Sequence, residues 1–119
     1  KEGVEYAILT DEMTKAWSGL TVKEYKELKG LKKENLRDNM TDIELVLNML
    51  AEVTTTTLSK KEQPETFAEN RSVAKRGGKF AGDTRKRFEE EIGGKVISPL
   101  NASDKPALET KKDNDENKD

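Results

Sequence analysis

Apolar residues recur in steps of three and four along residues 36–53, which is the spacing of one helical face. The positions that follow this spacing are Leu36, Met40, Ile43, Leu47, Leu50 and Val53. Leu45, Val46 and Met49 widen the stripe. The sequence therefore predicts a helix at the centre of the fold, on which the other elements pack.

The start of this helix is marked by Thr41 and Glu44, which have the spacing of a capping box. We predict a helix from Thr41 to about Lys60. Its later part contains four successive threonines, Thr54–Thr57, which are poor helix formers. We expect fraying there rather than a strand.

The residues before Gly19 predict a short first helix. After a lead-in from Lys1 to Tyr6, Thr10 offers an N-cap for a helix over Asp11–Trp17. Ser18-Gly19 is expected to end it, because glycine favours the positions that terminate helices.

A second short helix is predicted from Thr21 through Lys29. Thr21 and Glu24 form another capping box, and Gly30 suits the left-handed residue that follows a helix. Val22, Tyr25 and either Leu28 or Lys29 mark the inner face of this helix. Lys29, Lys32 and Lys33 form a small basic patch, which we interpret as an exposed turn rather than a binding site.

The second large element covers Thr66–Ile92, where apolar residues again follow helical spacing. Gly77-Gly78 and Gly82 interrupt the pattern, and each glycine costs a helix about 1 kcal/mol relative to alanine. Two interpretations follow: one long helix whose glycines admit another backbone, or two helices that break at Gly77-Gly78. The pattern favours helix throughout Gly78–Ile92.

Beyond Ile92 the chain loses its helical pattern. Gly93-Gly94 predicts the end of the helix, and Lys95–Ser98 predicts a short extended segment closed by Pro99. Residues 101–119 are dominated by charged and small polar side chains, which predicts a disordered tail.

Composition limits the chain to one helical domain over residues 1–100 plus this tail. Only 32% of the 119 residues are hydrophobic and 39% are charged. The prediction is an all-α domain of four or five helices, with Trp17 and Tyr25 in its core or at a domain interface rather than stacked on a ligand. So small a core favours oligomerisation or contact with a neighbouring domain, and a first residue of Lys1 suggests a piece of a longer protein.

The absence of cysteine and histidine removes several classes of active site. It excludes a Ser-His-Asp triad, a Cys-His pair and a zinc site with histidine or thiolate ligands. The carboxylates of Glu89–Glu91 and Asp113–Glu116 lack the spacing of an EF-hand loop. We therefore predict a non-enzymatic, cytoplasmic protein with no metal or other cofactor. No apolar run approaches the length of a membrane span.

A basic cluster between residues 71 and 87 is the strongest local indication of a binding site. Its members are Arg71, Lys75, Arg76, Lys79, Arg85, Lys86 and Arg87. Such a stripe binds phosphate backbones by releasing counterions. The alternative is a solvated helix face whose charges pair with Glu89–Glu91 or with another chain.

Two separated blocks of sequence resemble the C-terminal region of the DNA-damage-inducible protein D and Bro-N-containing phage antirepressor family. The later block matches at Gly77, Gly78, Ala81, Gly82, Arg85, Glu90, Gly94, Lys95, Val96, Ser98 and Asn101. The earlier block covers Leu28–Leu36, Asp38–Thr41 and Glu44-Leu45. Together the blocks span roughly residues 25–101.

The resemblance implies a role in the DNA-damage (SOS) response or in repressor antagonism. The family brings no catalytic residues, and its DNA binding is usually placed in the Bro-N domain that precedes this region. We therefore expect an interaction module whose partner is a protein: a RecA-like filament, a repressor or a second copy of itself. The alternatives are sequence-independent nucleic-acid binding through the basic cluster, and homodimerisation alone.

Overall fold

A computed structural model describes residues 2–101, which form an all-α fold. Its helices are α1 (Glu2–Ser18), α2 (Val22–Leu28), α3 (Asp42–Glu62) and α4 (Phe67–Ile92), with a short 3-10 turn at Arg37–Asn39. Within this described range there are four α-helices and no strand, which confirms the predicted fold class. The predicted disordered tail, from residue 102 onward, lies outside the described residues.

Helix α3 begins where its capping box predicts. Thr41 is the N-cap, and its backbone N–H donates to Glu44 Oε1 at 2.8 Å. The helix continues without interruption through the four threonines and ends at Gln63, which adopts a left-handed φ of 50°. The β-branched run is helical because tertiary packing outweighs its weak propensity.

Helix α1 is longer than predicted, since it begins at Glu2 rather than after Thr10. No glycine or proline interrupts residues 4–17, so each added residue extends an existing helix at little cost. The carboxylate of Asp11, expected in the first turn, instead accepts a hydrogen bond from Val22 N at 2.9 Å. Asp11 thus helps to fix the start of α2.

Helix α4, not α3, is the central element, because it packs along both α1 and α3. It is one continuous helix, and its glycines lie at the two seams. A Cβ placed on Gly77 would lie 2.8 Å from Thr55 N of α3, and one on Gly78 would lie 2.4 Å from Met13 O of α1. The glycines are therefore retained for close backbone approach, as the first interpretation expected.

The close approach of α4 decides which side of α3 is buried. The buried residues of α3 are Glu44, Leu47, Asn48 and Ala51. Three members of the predicted stripe are instead exposed: Val46 at 58%, Met49 at 43% and Val53 at 60%. At the glycine seam α3 presents Thr55, and the small residue Ala51 is fully buried, while Leu47 packs in the core and Val46, Met49 and Val53 point outward.

The core lies between these helices and the segment after α4. Its members are Trp17, Tyr25, Leu36, Met40, Leu47, Ala51, Ala81 and Val96. Trp17 and Tyr25 are fully buried, as predicted, with ring centroids 6.1 Å apart. Trp17 Nε1 donates to Asn48 Oδ1 at 3.2 Å, which gives the buried indole its hydrogen-bond partner.

The segment after α4 turns back onto the core without forming a strand. Gly93 ends the helix with a φ of 69°, and its N–H donates to Glu89 O at 2.9 Å. Val96 is buried, and its backbone N–H donates to Glu89 Oε2 at 2.9 Å. The predicted short extended segment is therefore an irregular strap held by side chains.

Candidate functional site

The basic cluster lies along α4, but five of its seven side chains are already paired with carboxylates. The pairs are Arg71–Glu12, Lys75–Glu12, Arg76–Glu62, Lys79–Asp83 and Arg85–Glu89. In the pair at the start of α4, the Arg76 guanidinium bonds Glu62 and holds the pKa of that carboxyl below its usual value. Much of the cluster therefore serves contacts within the chain.

Arg85 has a structural position that separates it from the rest of the cluster. Its Nε donates to the backbone oxygen of Trp17 at 2.7 Å, and its Nη1 donates to Glu89 Oε2 at 3.0 Å. Its side chain is only 16% exposed. Arg85 therefore ties the end of α1 to α4 rather than offering its charge to a ligand.

Three lysines of the basic cluster share one exposed side of α4. Lys75, Lys79 and Lys86 are spaced by four and seven residues, which keeps them on one helical face. Among the described residues, Lys86 and Arg87 make no ion pair, and the Lys79–Asp83 pair is largely exposed. Because exposed ion pairs contribute little free energy, Lys79 can leave Asp83 for another anionic group.

The core also contains a buried charge network that sequence reasoning did not find. It consists of Tyr25, Lys29 and Glu44, together with the backbones of Ser98 and Leu100. Lys29 Nζ lies 2.7 Å from Glu44 Oε1, and both side chains are fully buried. The Tyr25 hydroxyl donates to Glu44 Oε2 at 2.7 Å.

Each polar group of the buried network has its partners. The Lys29 ammonium also donates to Ser98 O at 2.8 Å and to Leu100 O, while Ser98 N donates to Glu44 Oε2 at 3.1 Å. Lys29 additionally lies 5.7 Å from the centroid of the Tyr25 ring. A buried ion pair is tolerated only when it is satisfied in this way, so the network locks the strap onto α2 and α3.

The surroundings of the buried network change the acidity of Tyr25. Burial, and then the hydrogen bond to the Glu44 carboxylate, raise the pKa of the Tyr25 hydroxyl well above its usual value. Tyr25 therefore stays protonated and keeps donating to Glu44 throughout the neutral range.

Lys29 is the clearest correction to the sequence analysis. It was expected in an exposed turn with Lys32 and Lys33, but it is 4% exposed, whereas the other two are exposed. The sequence offers one indication, because Lys29 follows Tyr25 by four residues on the inner face of α2.

A second carboxylate holds the other end of the strap. Glu89 Oε2 accepts from Val96 N and from Arg85. Partial burial opposes ionisation, but these two hydrogen bonds outweigh it and hold the pKa of Glu89 below its usual value. Glu89 is therefore charged at neutral pH and keeps both bonds.

The residues that carried the family resemblance are mostly structural in this fold. Gly77, Gly78, Ala81, Gly82 and Val96 are buried, Ser98 and Asn101 are half-buried, and Glu90 and Gly94 are exposed. The buried glycines form the seams of α4, and Ser98 belongs to the buried network. The motif therefore describes how α4 and the strap pack.

An apolar surface covers the outward side of α3. We call it the outer face and define it by Val46, Met49 and Val53. Residues 45–59 contain a single charged side chain, Glu52. The Glu52 carboxylate accepts hydrogen bonds from Arg37 and Asn48, so its charge is paired beside the outer face. The outer face is thus exposed, apolar and uncharged.

Comparisons with known proteins identify no relatives for this all-α protein. No protein-family model matches the chain. Searches of curated proteins and of solved structures give no significant match. The resemblance to the DNA-damage-inducible protein D family therefore stays a prediction.

Two further searches concern the described residues alone. None of their helices has the length and hydropathy required to cross a bilayer. They also contain no group of three or more acidic side chains arranged to hold a metal ion.

Proposed function

We propose that this chain is a non-enzymatic interaction module that contacts a protein partner through the outer face of α3. The observation that carries the proposal is the exposure of Val46, Met49 and Val53 on a helix surface without charge. Contiguous exposed apolar surface of this kind marks protein–protein contact sites. By resemblance, the module belongs to a cytoplasmic protein of the DNA-damage response or of phage repressor antagonism.

The rest of the fold supports a surface of fixed shape. The glycine seams hold α3 and α4 close together, and the buried network fixes the start of α3 against α2 and the strap. A rigid helix that presents aliphatic side chains loses little conformational entropy on binding. Such a surface is suited to bind a groove or another helix.

The test is co-sedimentation of the chain with RecA filaments assembled on single-stranded DNA. Val53→Glu places a charge on the outer face and is expected to weaken binding at least tenfold, because a buried unpaired charge opposes association. Val4→Glu is the matched control, since Val4 is similarly exposed on α1 at 64%. Equal loss, or no loss, in the two variants would refute contact through the outer face.

A second candidate function is sequence-independent binding to nucleic acid. It is favoured by Lys86 and Arg87, which make no ion pair in the described part of the chain, and by the alignment of Lys75 and Lys79 with Lys86. Phosphate binding through these side chains would weaken steeply as salt concentration rises. Arg85 is not expected to take part.

The measurement is affinity for duplex and single-stranded DNA across a salt series. Lys79→Glu with Lys86→Glu should reduce both affinity and its salt dependence. Lys32→Glu with Lys33→Glu is the matched control, because it makes the same change in net charge on exposed residues elsewhere. If the two double variants bind alike, the basic cluster is not the DNA site.

A further inference from the structure

Helix α1 covers one side of the pair formed by α3 and α4. Trp17 of α1 bonds Asn48 of α3, and Met13 and Ala16 lie against Gly78 of α4. The outer face of α3 takes no part in these contacts.

The outer face lies on the side of α3 opposite its buried residues. Leu47 and Ala51 are buried, whereas Val46, Met49 and Val53 are exposed. At 3.6 residues per turn, these three residues lie roughly half a turn around the helix from Ala51. The outer face is therefore open to a second chain without any change in the packing of α3 on α4.

The two ends of α3 carry charges of opposite sign. Asp42 lies exposed at its start. Lys60 and Lys61 lie exposed at its end, where Glu62 is paired with Arg76. Between these ends the outer face of α3 has no charge.

We propose that the outer face binds the outer face of a second copy of this chain, with the two α3 helices antiparallel. This inference deepens the proposed function, on which it rests, because it names the partner of the same surface. The two-fold axis would cross the outer face at the level of Ala51, which is nine residues from both Asp42 and Lys60. It would place Asp42 opposite Lys60 of the second copy. Met49 would then meet Val53 of the second copy.

The charges at the ends of α3 favour the antiparallel arrangement over a parallel one. With parallel α3 helices, Asp42 would lie near Asp42 of the second copy, and Lys60 near Lys60. Like charges placed opposite each other oppose association. Antiparallel α3 helices avoid this repulsion, because the acidic start of one helix meets the basic end of the other.

The first experiment is sedimentation equilibrium of the whole 119-residue chain from micromolar to millimolar concentration. The expected result is a reversible dimer. Val53→Glu should raise its dissociation constant at least tenfold, whereas the matched control Val4→Glu should leave it unchanged. Circular dichroism of both variants checks that each retains its helices.

The second experiment tests the orientation by mixing charge variants. Asp42→Lys alone, and Lys60→Glu with Lys61→Glu, should each form weaker dimers than the native chain, because like charges then meet. An equimolar mixture of these two variants should form a mixed dimer more readily than either variant dimerises alone. Two variants that dimerise as well alone as together would overturn the antiparallel arrangement.

The outcomes separate this inference from the proposed function. A chain that remains monomeric at the highest concentration overturns self-association, and so does a dimer that Val53→Glu does not weaken. In either case, loss of RecA-filament binding in Val53→Glu but not in Val4→Glu would still support protein contact through the outer face.

Discussion

Helix α3 buries charge and exposes hydrocarbon, whereas helix α4 buries glycine and alanine and exposes charge. On α3, Glu44 is fully buried and Val53 is 60% exposed. On α4, Gly78 and Ala81 are buried, while Lys79 and Lys86 are exposed. The comparison shows that side-chain hydrophobicity alone does not determine which residues of each helix are buried, because close backbone approach at a seam also requires small residues.

The largest loss of stability should come from breaking the ion pair between Lys29 and Glu44 on the buried side of α3. Lys29→Ala leaves the Glu44 carboxylate buried without its counterion, which is expected to lower the free energy of unfolding by about 3–5 kcal/mol. Urea denaturation followed by circular dichroism measures the change. Lys32→Ala is the control, because that exposed lysine should contribute no more than about 0.5 kcal/mol.

A double variant then separates charge from packing. Lys29→Met with Glu44→Met removes both charges and should recover part of the stability lost in Lys29→Ala. A double variant as unstable as the single one would show that the network contributes through its hydrogen bonds to the strap rather than through the ion pair.

The buried glycines of α4 should not tolerate a larger side chain, although alanine is the better helix former. In Gly78→Ala the new methyl group would meet Met13 O and the Ala16 side chain, so we expect a loss of about 1–3 kcal/mol despite the better helix propensity of alanine. Gly94→Ala is the control, since no atom lies within 4 Å of its added Cβ. Thermal unfolding of the two variants gives the comparison, and equal melting temperatures would contradict a tight seam.

The smallest predicted effect is the change in stability when Tyr25 ionises. This change appears only in alkaline solution. The folded chain holds the pKa of Tyr25 above its usual value, so the unfolded chain releases this proton first. The stability is fully present below about pH 10, the ordinary tyrosine value, and falls as pH rises above it. Urea titrations at alkaline pH should show a shallower decline for Tyr25→Phe, whereas Tyr6→Phe, at an exposed site, should follow the native chain.

The local features of the fold were predictable from the sequence because they depend on neighbouring residues. The capping boxes at Thr21 and Thr41 place the starts of α2 and α3 correctly, and Gly93 ends α4 where expected. The predicted start of α1 was wrong, because the helix begins at Glu2 and runs through Thr10, the predicted N-cap, while Asp11 accepts a bond from the start of α2. That contact joins residues eleven positions apart, so helix-start rules could not reveal it.

The buried network was not predictable because its partners are distant along the chain. The spacing of Thr41 and Glu44 explains one oxygen of Glu44, but the partners of the other are Tyr25 and Ser98. The bond from Lys29 to Ser98 spans 69 residues. Conversely, the basic cluster was visible in the sequence, but its pairing with Glu12 and Glu62 depends on how α1 and α3 pack.

The bonds from Lys29 to the strap also set an order for events during protein synthesis. Lys29 and Glu44 leave the ribosome more than fifty residues before Ser98 and Leu100, which complete their hydrogen bonding. Until then, burial would leave polar groups of both side chains without their final partners, which is unfavourable. We therefore expect this ion pair to become buried only after the last helix and its strap have been synthesised.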